Sequence, residues 1–138
     1  MTFDVTLTRA LGATPARVWE ALTTSELADW FWPKQFETVV AVDPITGGGF
    51  SISSEPMGMA VDARILSAVP GRELVLDWGW RGEDARTTVT LTLEPSAAGT
   101  ALTLAHAGNA DQETADDHRA GWESCLDRLP AHLERVER

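Results

Sequence analysis

The chain has 138 residues, 43% hydrophobic and 23% charged, with 11 Lys and Arg against 21 Asp and Glu for a formal charge of −10. That length and apolar content describe one packed domain spanning 1–138 and exclude a disordered chain. Such acidity repels nucleic acid and anionic membrane, so neither is an expected partner, and a single Cys excludes a disulfide framework or a cysteine-rich zinc site.

The first segment sets Phe3, Val5 and Leu7 against Asp4, Thr6 and Thr8. This period of two predicts a half-buried strand. Thr14 before Pro15 signals a helix start, with Thr as the cap and Pro at the first helical position. Residues 15–22 then place Val18, Ala21 and Leu22 at helical spacing. A second short helix is expected from Thr24 or Ser25, carrying Leu27, Ala28 and Phe31, with Pro33 as its stop.

Residues 36–106 read as strands throughout. The apolar run 36–42 comes first, and Asp43-Pro44 with Gly47-Gly48-Gly49 marks the turn after it. Phe50 and Ile52 begin the next strand, and Val61, Ala63 and Ile65 alternate in the one that follows. After the Pro70-Gly71 turn, Leu74, Leu76, Trp78 and Trp80 share one face. Gly82-Glu83-Asp84 closes a hairpin into Val89, Leu91 and Leu93. Residues 95–99 turn again into Leu102, Leu104 and His106. Short strands at such regular spacing describe an antiparallel meander.

The tail is helical. Asn109 followed by Gln112 fits a polar cap with a capping Gln, and acidic residues crowd the first turns. His118, Trp122, Leu126, Leu129, Leu133 and Val136 form one amphipathic stripe, within which Pro130 is expected to bend or interrupt the helix. The expected class is α+β. A curved antiparallel sheet of six or seven strands wraps around one long C-terminal helix, with two short helices after the first strand. No basic and apolar leader is present, and no apolar run approaches the roughly 20 residues that span a bilayer. The domain therefore reads as cytoplasmic, in keeping with its cysteine content.

Several segments carry a family resemblance. Pro15-Ala16-Arg17-Val18-Trp19-Glu20-Ala21-Leu22-Thr23 resembles the opening helix of the START-like (SRPBCC) superfamily, in the branch related to the activator of the 90-kDa heat-shock chaperone ATPase. Leu27 and Trp30, Gly48-Gly49-Phe50, the run from Pro70 to Trp78, and His118-Arg119-Ala120-Gly121-Trp122 with Leu126 and Leu129 extend the likeness over nearly the whole chain. The resemblance implies a helix-grip fold with a mostly apolar cavity. It implies no universal catalytic residue, and a spread of roles from hydrophobic-ligand binding to chaperone assistance.

The aromatic content is 6 Trp and 4 Phe with no Tyr, so an aromatic site here works by stacking, shape or an indole N–H. The expected cavity residues are Trp30, Trp32, Trp78, Trp80, Leu104, His106, His118, Trp122 and Leu126. Among them, His106 and His118 are the polar markers, able to bind a ligand group or exchange a proton. Each is also explained as an ordinary structural histidine, and the tryptophans as ordinary core. No spacing supplies a third metal ligand, no nucleophile elbow is present, and Cys125 reads as a buried inert thiol. No catalytic residue, metal or cofactor is assigned. The expected partner is a small apolar or aromatic molecule, bound by a monomer or homodimer. The alternatives are an enzyme using a cavity histidine as general acid or base, and a chaperone-associated interaction module, for which only a few exposed apolar residues, such as Trp32, are expected.

Overall fold

The computed structural model of the protein describes residues 3–136, with the side chain of Val136, the last member of the expected stripe, outside the described part. The elements run β1 (Phe3–Leu11), α1 (Pro15–Thr23), α2 (Leu27–Trp30), a 3₁₀ turn (Lys34–Phe36), β2 (Val39–Val42), β3 (Gly49–Ser54), β4 (Met59–Val69), β5 (Glu73–Trp80), β6 (Thr87–Ser96), β7 (Gly99–Asn109) and α3 (Gln112–Val136). The seven strands form one sheet in the order β1-β7-β6-β5-β4-β3-β2. Every pairing is antiparallel. This is the expected α+β helix-grip architecture.

Register explains how the core is assembled. Val5 faces His106, which faces Val89, which faces Leu76, which faces Ile65. All five are buried, so one apolar row crosses five strands with a single imidazole in it. The next row sets Leu7, Leu104, Leu91 and Leu74 side by side. Alternation with period two keeps these side chains on the face that α3 covers. Trp122, Cys125, Leu126, Leu129 and Leu133 of α3 are buried against it. Fully burying each such leucine contributes about 1.5–3 kcal/mol relative to leaving it exposed.

Local signals behave as expected at the first helix. The Thr14 hydroxyl accepts from the Arg17 N–H at 3.2 Å, and Pro15 opens the helix. Four expectations need correction. Residues 36–38 are not strand: Phe36 N–H donates to the Pro33 carbonyl at 2.9 Å, and Glu37 takes φ 50°, so pairing starts only at Val39. Asn109 does not cap α3. Asp111 does, its carboxylate accepting from the Thr114 N–H at 2.7 Å, while Asn109 is buried at the end of β7. Pro130 does not interrupt α3. It lies on the exposed side, and the helix continues because Leu129 and Leu133 hold the opposite side in the core. Trp32 is buried, since it packs on Phe31 and Phe36.

Two glycines separate backbone need from helix cost. At Gly99, φ is +141° and an added Cβ would stand 2.7–2.8 Å from the backbone of Ala13 and Leu11. The same junction holds the Thr100 hydroxyl on the Ala13 carbonyl at 2.6 Å. Gly121 sits on α3 with open space where a Cβ would go. In chemical denaturation, Gly99→Ala is expected to lose about 2 kcal/mol or more of stability. Gly121→Ala is expected to gain about 0.5–1 kcal/mol.

Candidate functional site

The candidate site lies where β5, β7 and the first half of α3 meet. Trp78 and Trp80 project from β5, His106 from β7, and His118 and Trp122 from successive turns of α3. The four-residue step from His118 to Trp122 puts both on one helix face. Trp122 Nε1–H donates to His106 Nδ1 at 2.9 Å. His106 Nδ1 is therefore an acceptor, and its Nε2–H donates to Thr87 Oγ1 at 2.7 Å. Trp80 Nε1–H donates to His118 Nε2 at 3.1 Å, so the proton of His118 is on Nδ1, which donates to Asn109 Oδ1 at 2.7 Å. The Asn109 amide nitrogen donates in turn to the carbonyls of Phe3 and His106.

The two imidazoles thus carry opposite tautomers, each fixed by an indole N–H. Their centroids are 4.2 Å apart. Burial, followed by repulsion from His118, pushes His106 from the usual 6.5 down to about 3. Burial lowers His118 as well, although the nearby Asp117 and Glu83 oppose it. Both rings are held neutral, and each ring nitrogen already has a partner. That arrangement suits a rigid polar wall. As it stands, neither ring has a free nitrogen to take a proton from a substrate or to bind a metal.

Aromatic rings extend the wall. Trp78 meets Trp80 edge to face at 6.0 Å and lies 5.2 Å from Trp122. Phe31 meets Trp122 at 5.6 Å and Trp32 at 5.6 Å. Among the described residues, Trp78 is the one tryptophan with a buried Nε1–H that has no partner. A half-open pocket of about 570 Å³ opens beside it, lined by Trp78, Trp80, His118, Met59 and Thr87. A smaller pocket of about 70 Å³ adjoins, between Trp32, Trp78, Trp80, Trp122 and Cys125. Burial raises the Cys125 thiol to about 12, against the smaller opposing effect of Arg128, so it is an inert wall residue.

The nine sequence candidates separate into four groups. Trp32, Trp78, Trp80, His118 and Trp122 come together around the small pocket. His106 stands behind them as the acceptor for Trp122. Leu104 and Leu126 are fully buried core and border neither pocket. Trp30 turns the other way, donating to the Ala21 carbonyl at 3.0 Å and lining a separate groove with Trp32.

Sequence reasoning did not single out His132, which is buried and sits 2.7 Å from Glu26 Oε1. Arg17 holds the same carboxylate through two hydrogen bonds of 2.7 and 3.1 Å. Burial pushes Glu26 up, but the bonds and charges of Arg17 and His132 outweigh it and hold the carboxyl below its usual value. The three-residue step from Leu129 was the available signal for His132 on the inner side of α3. Its distance of 106 residues from Glu26 left that pairing invisible.

Residues 12–134 match the family described as Activator of Hsp90 ATPase homolog 1-like protein. The match covers most of the chain, and the protein belongs to this family. The comparison with curated proteins returns no match. Among solved structures, the fold is similar to protein MLL2253 from Mesorhizobium loti, with 25% identity over 99% of this chain and 100% of that one and a TM-score of 0.84. Protein CV1439 from Chromobacterium violaceum is 28% identical over 95% of this chain and 97% of that one, with a TM-score of 0.83. An AHSA1 protein from Silicibacter pomeroyi shares the fold at 22% identity, 96% and 98% coverage and a TM-score of 0.76.

The neutral imidazoles carry a pH consequence. In the unfolded chain both histidines take up protons below about 6.5, while folded His106 refuses one until about 3. The unfolded state binds more protons across that window, so stability is full above it and falls as the pH drops from about 6.5 toward 3. Nitrogen-15 histidine spectra at neutral pH are expected to show His106 with the proton on Nε2 and His118 with it on Nδ1. His106→Leu is expected to flatten the acid limb of the stability profile.

Proposed function

We propose that the protein binds a small, flat, mostly apolar molecule carrying a hydrogen-bond acceptor, at the pocket beside Trp78 and Trp80. The observation that carries this reading is the unpaired, buried Trp78 indole N–H. The indole N–H groups of Trp30, Trp80 and Trp122 all have acceptors within the fold. A buried donor without one costs free energy, and a ligand carbonyl or ether oxygen at that point would recover it. The surrounding rings supply the apolar contact area, and about 570 Å³ accommodates a molecule of two or three fused rings.

Binding is favoured over acid–base turnover by the state of the histidines. Burial pushes His106 down to about 3, far from the working pH of a general base. His118 has both ring nitrogens engaged. The acidic surface, at a formal charge of −10, supports a neutral ligand over an anionic one. The family name supports a chaperone-linked role for relatives. Trp32 is buried and takes no part in the apolar surface such a role would use, while Val39, Ile45, Met57, Leu66 and Val69 are exposed.

The neutral naphthyl ketone Prodan tests the reading, since it pairs a flat ring system with one acceptor. Saturable quenching of tryptophan emission with micromolar affinity is expected. Trp80→Ala removes one wall and is expected to weaken binding about tenfold. Trp78→Phe keeps a ring but removes the N–H, and is expected to weaken it about fivefold. Lys34→Ala, in the separate groove, leaves affinity unchanged. Absence of saturable binding, or equal affinity in Trp80→Ala, would sink the proposal.

A further inference from the structure

The pocket beside Trp78 and Trp80 carries charge of one sign that the fold does not answer. Its lining holds three ionised side chains, Arg81, Glu83 and Asp117. Arg81 is already engaged outside it. Its Nε–H and Nη2–H donate to the two carboxylate oxygens of Asp62 at 2.9 and 2.8 Å, and Asp62 is not part of the lining. Among the described residues, neither Glu83 nor Asp117 has an ion-pair partner. Both are exposed, Glu83 on the β5–β6 hairpin and Asp117 on the second turn of α3. Both also favour the charged form of His118 against its burial, so the fields of the two carboxylates meet at one imidazole of the wall.

The groove of about 860 Å³ on the other side of the Phe31–Trp32 wall is the contrast. Its lining sets Lys34, Arg128 and Arg135 against Asp29, Glu37 and Asp127, three charges of each sign. Such a balance gives no net attraction to an ion. The Trp78 pocket is left with a surplus of two negative charges.

The rings add a second attraction at the same place. Trp80 and His118 lie within 2° of one plane, with centroids 6.3 Å apart, joined through the indole N–H. Trp78 stands at 90° to Trp80. The face of an indole is negative, and rings at right angles beside carboxylates suit a cation with an apolar coat. An alkylated ammonium has that coat. A metal ion asks instead for several converging ligands, and among the described residues no three His, Cys, Asp or Glu side chains are grouped to supply them.

We propose that the ligand of this pocket carries an alkylated ammonium group, held at the mouth by Glu83, Asp117 and the Trp80 ring. This rests on the reading that the Trp78 pocket binds a flat, mostly apolar molecule, and it deepens that reading by placing a positive charge on the molecule's outer end.

Two isosteric probes isolate the charge, 2-acetyl-6-(trimethylammoniomethyl)naphthalene and its neutral neopentyl counterpart. Each is titrated against tryptophan emission at low salt. The cation is expected to bind about tenfold more tightly. That advantage is expected to fall about threefold in roughly 0.5 M salt. Glu83→Gln combined with Asp117→Asn is expected to remove most of the advantage and leave the neutral probe unchanged. Asp43→Asn combined with Glu94→Gln removes the same charge from exposed positions outside the pocket and is expected to preserve it. Equal affinity of the two probes, or an advantage that survives in the Glu83 and Asp117 variant, would overturn the ammonium assignment and leave the pocket standing. Equal loss in the Asp43 and Glu94 variant would make the effect one of net charge and overturn it likewise. Saturable binding of neither probe would overturn the pocket and the ammonium assignment together.

Discussion

The hydrogen bond from the Trp122 indole to His106 joins the two halves of this fold. It links α3 to the centre of the sheet inside a row of otherwise apolar residues. A buried imidazole is tolerable there only while neutral and fully bonded, and the indole N–H makes it so by occupying one nitrogen while Thr87 takes the other. That requirement sets the rotation of α3, because Trp122 must present its N–H to β7. It also sets the neighbouring turn of the helix, where His118 meets Trp80 and Asn109. Asn109 then ties the end of β7 to β1 through the Phe3 carbonyl. One polar line thus runs from the edge strand through both histidines to the aromatic wall.

The general architecture was legible because it rests on local patterns. Period-two alternation marked the strands, Thr14-Pro15 marked the first helix, and the stripe from His118 to Leu133 marked α3. The misreadings share a cause, a residue whose side chain is used far away in sequence. Asn109 has the chemistry of a helix cap, but it is consumed by Phe3, His106 and His118, and Asp111 caps instead. The segment 36–38 has strand-like residues, but the turn that begins at Pro33 overrides them. At the site, the cluster of Trp32, Trp78, Trp80 and Trp122 followed from strand and helix faces. Trp30 parted from it because its indole is claimed by the Ala21 carbonyl, a contact no periodicity encodes.

The molecule keeps its charges and its polar core apart by two different devices. Near the sheet, buried polarity is neutral throughout: indoles, imidazoles, an amide and a hydroxyl. Near the last turns of α3, the polarity is ionic and partly buried, with Arg17 against Glu26 and His132 completing the carboxylate's partners. A partly buried ion pair adds little net stability over well-packed apolar groups, but breaking one partner away leaves the other poorly solvated. It therefore works as a positional lock between α1, the start of α2 and α3 more than as a source of stability. Near the sheet, this neutral network leaves one buried donor, the Trp78 indole N–H, without a partner.

The wall between the pockets depends on α3 rather than on its own helix. Four residues are too few to hold a helix in water, and α2 ends with carbonyls that its own backbone does not satisfy. Arg128 of α3 donates to the Trp30 carbonyl at 3.0 Å and to the Phe31 carbonyl at 2.6 Å. Its positive charge at the C-terminal end of α2 adds to those bonds. The guanidinium therefore fixes the backbone from which Phe31 and Trp32 project. Those rings in turn close the small aromatic pocket on one side and the larger groove on the other. The helix that covers the sheet thus also sets the partition between the two pockets, so the shape of each depends on the seating of α3.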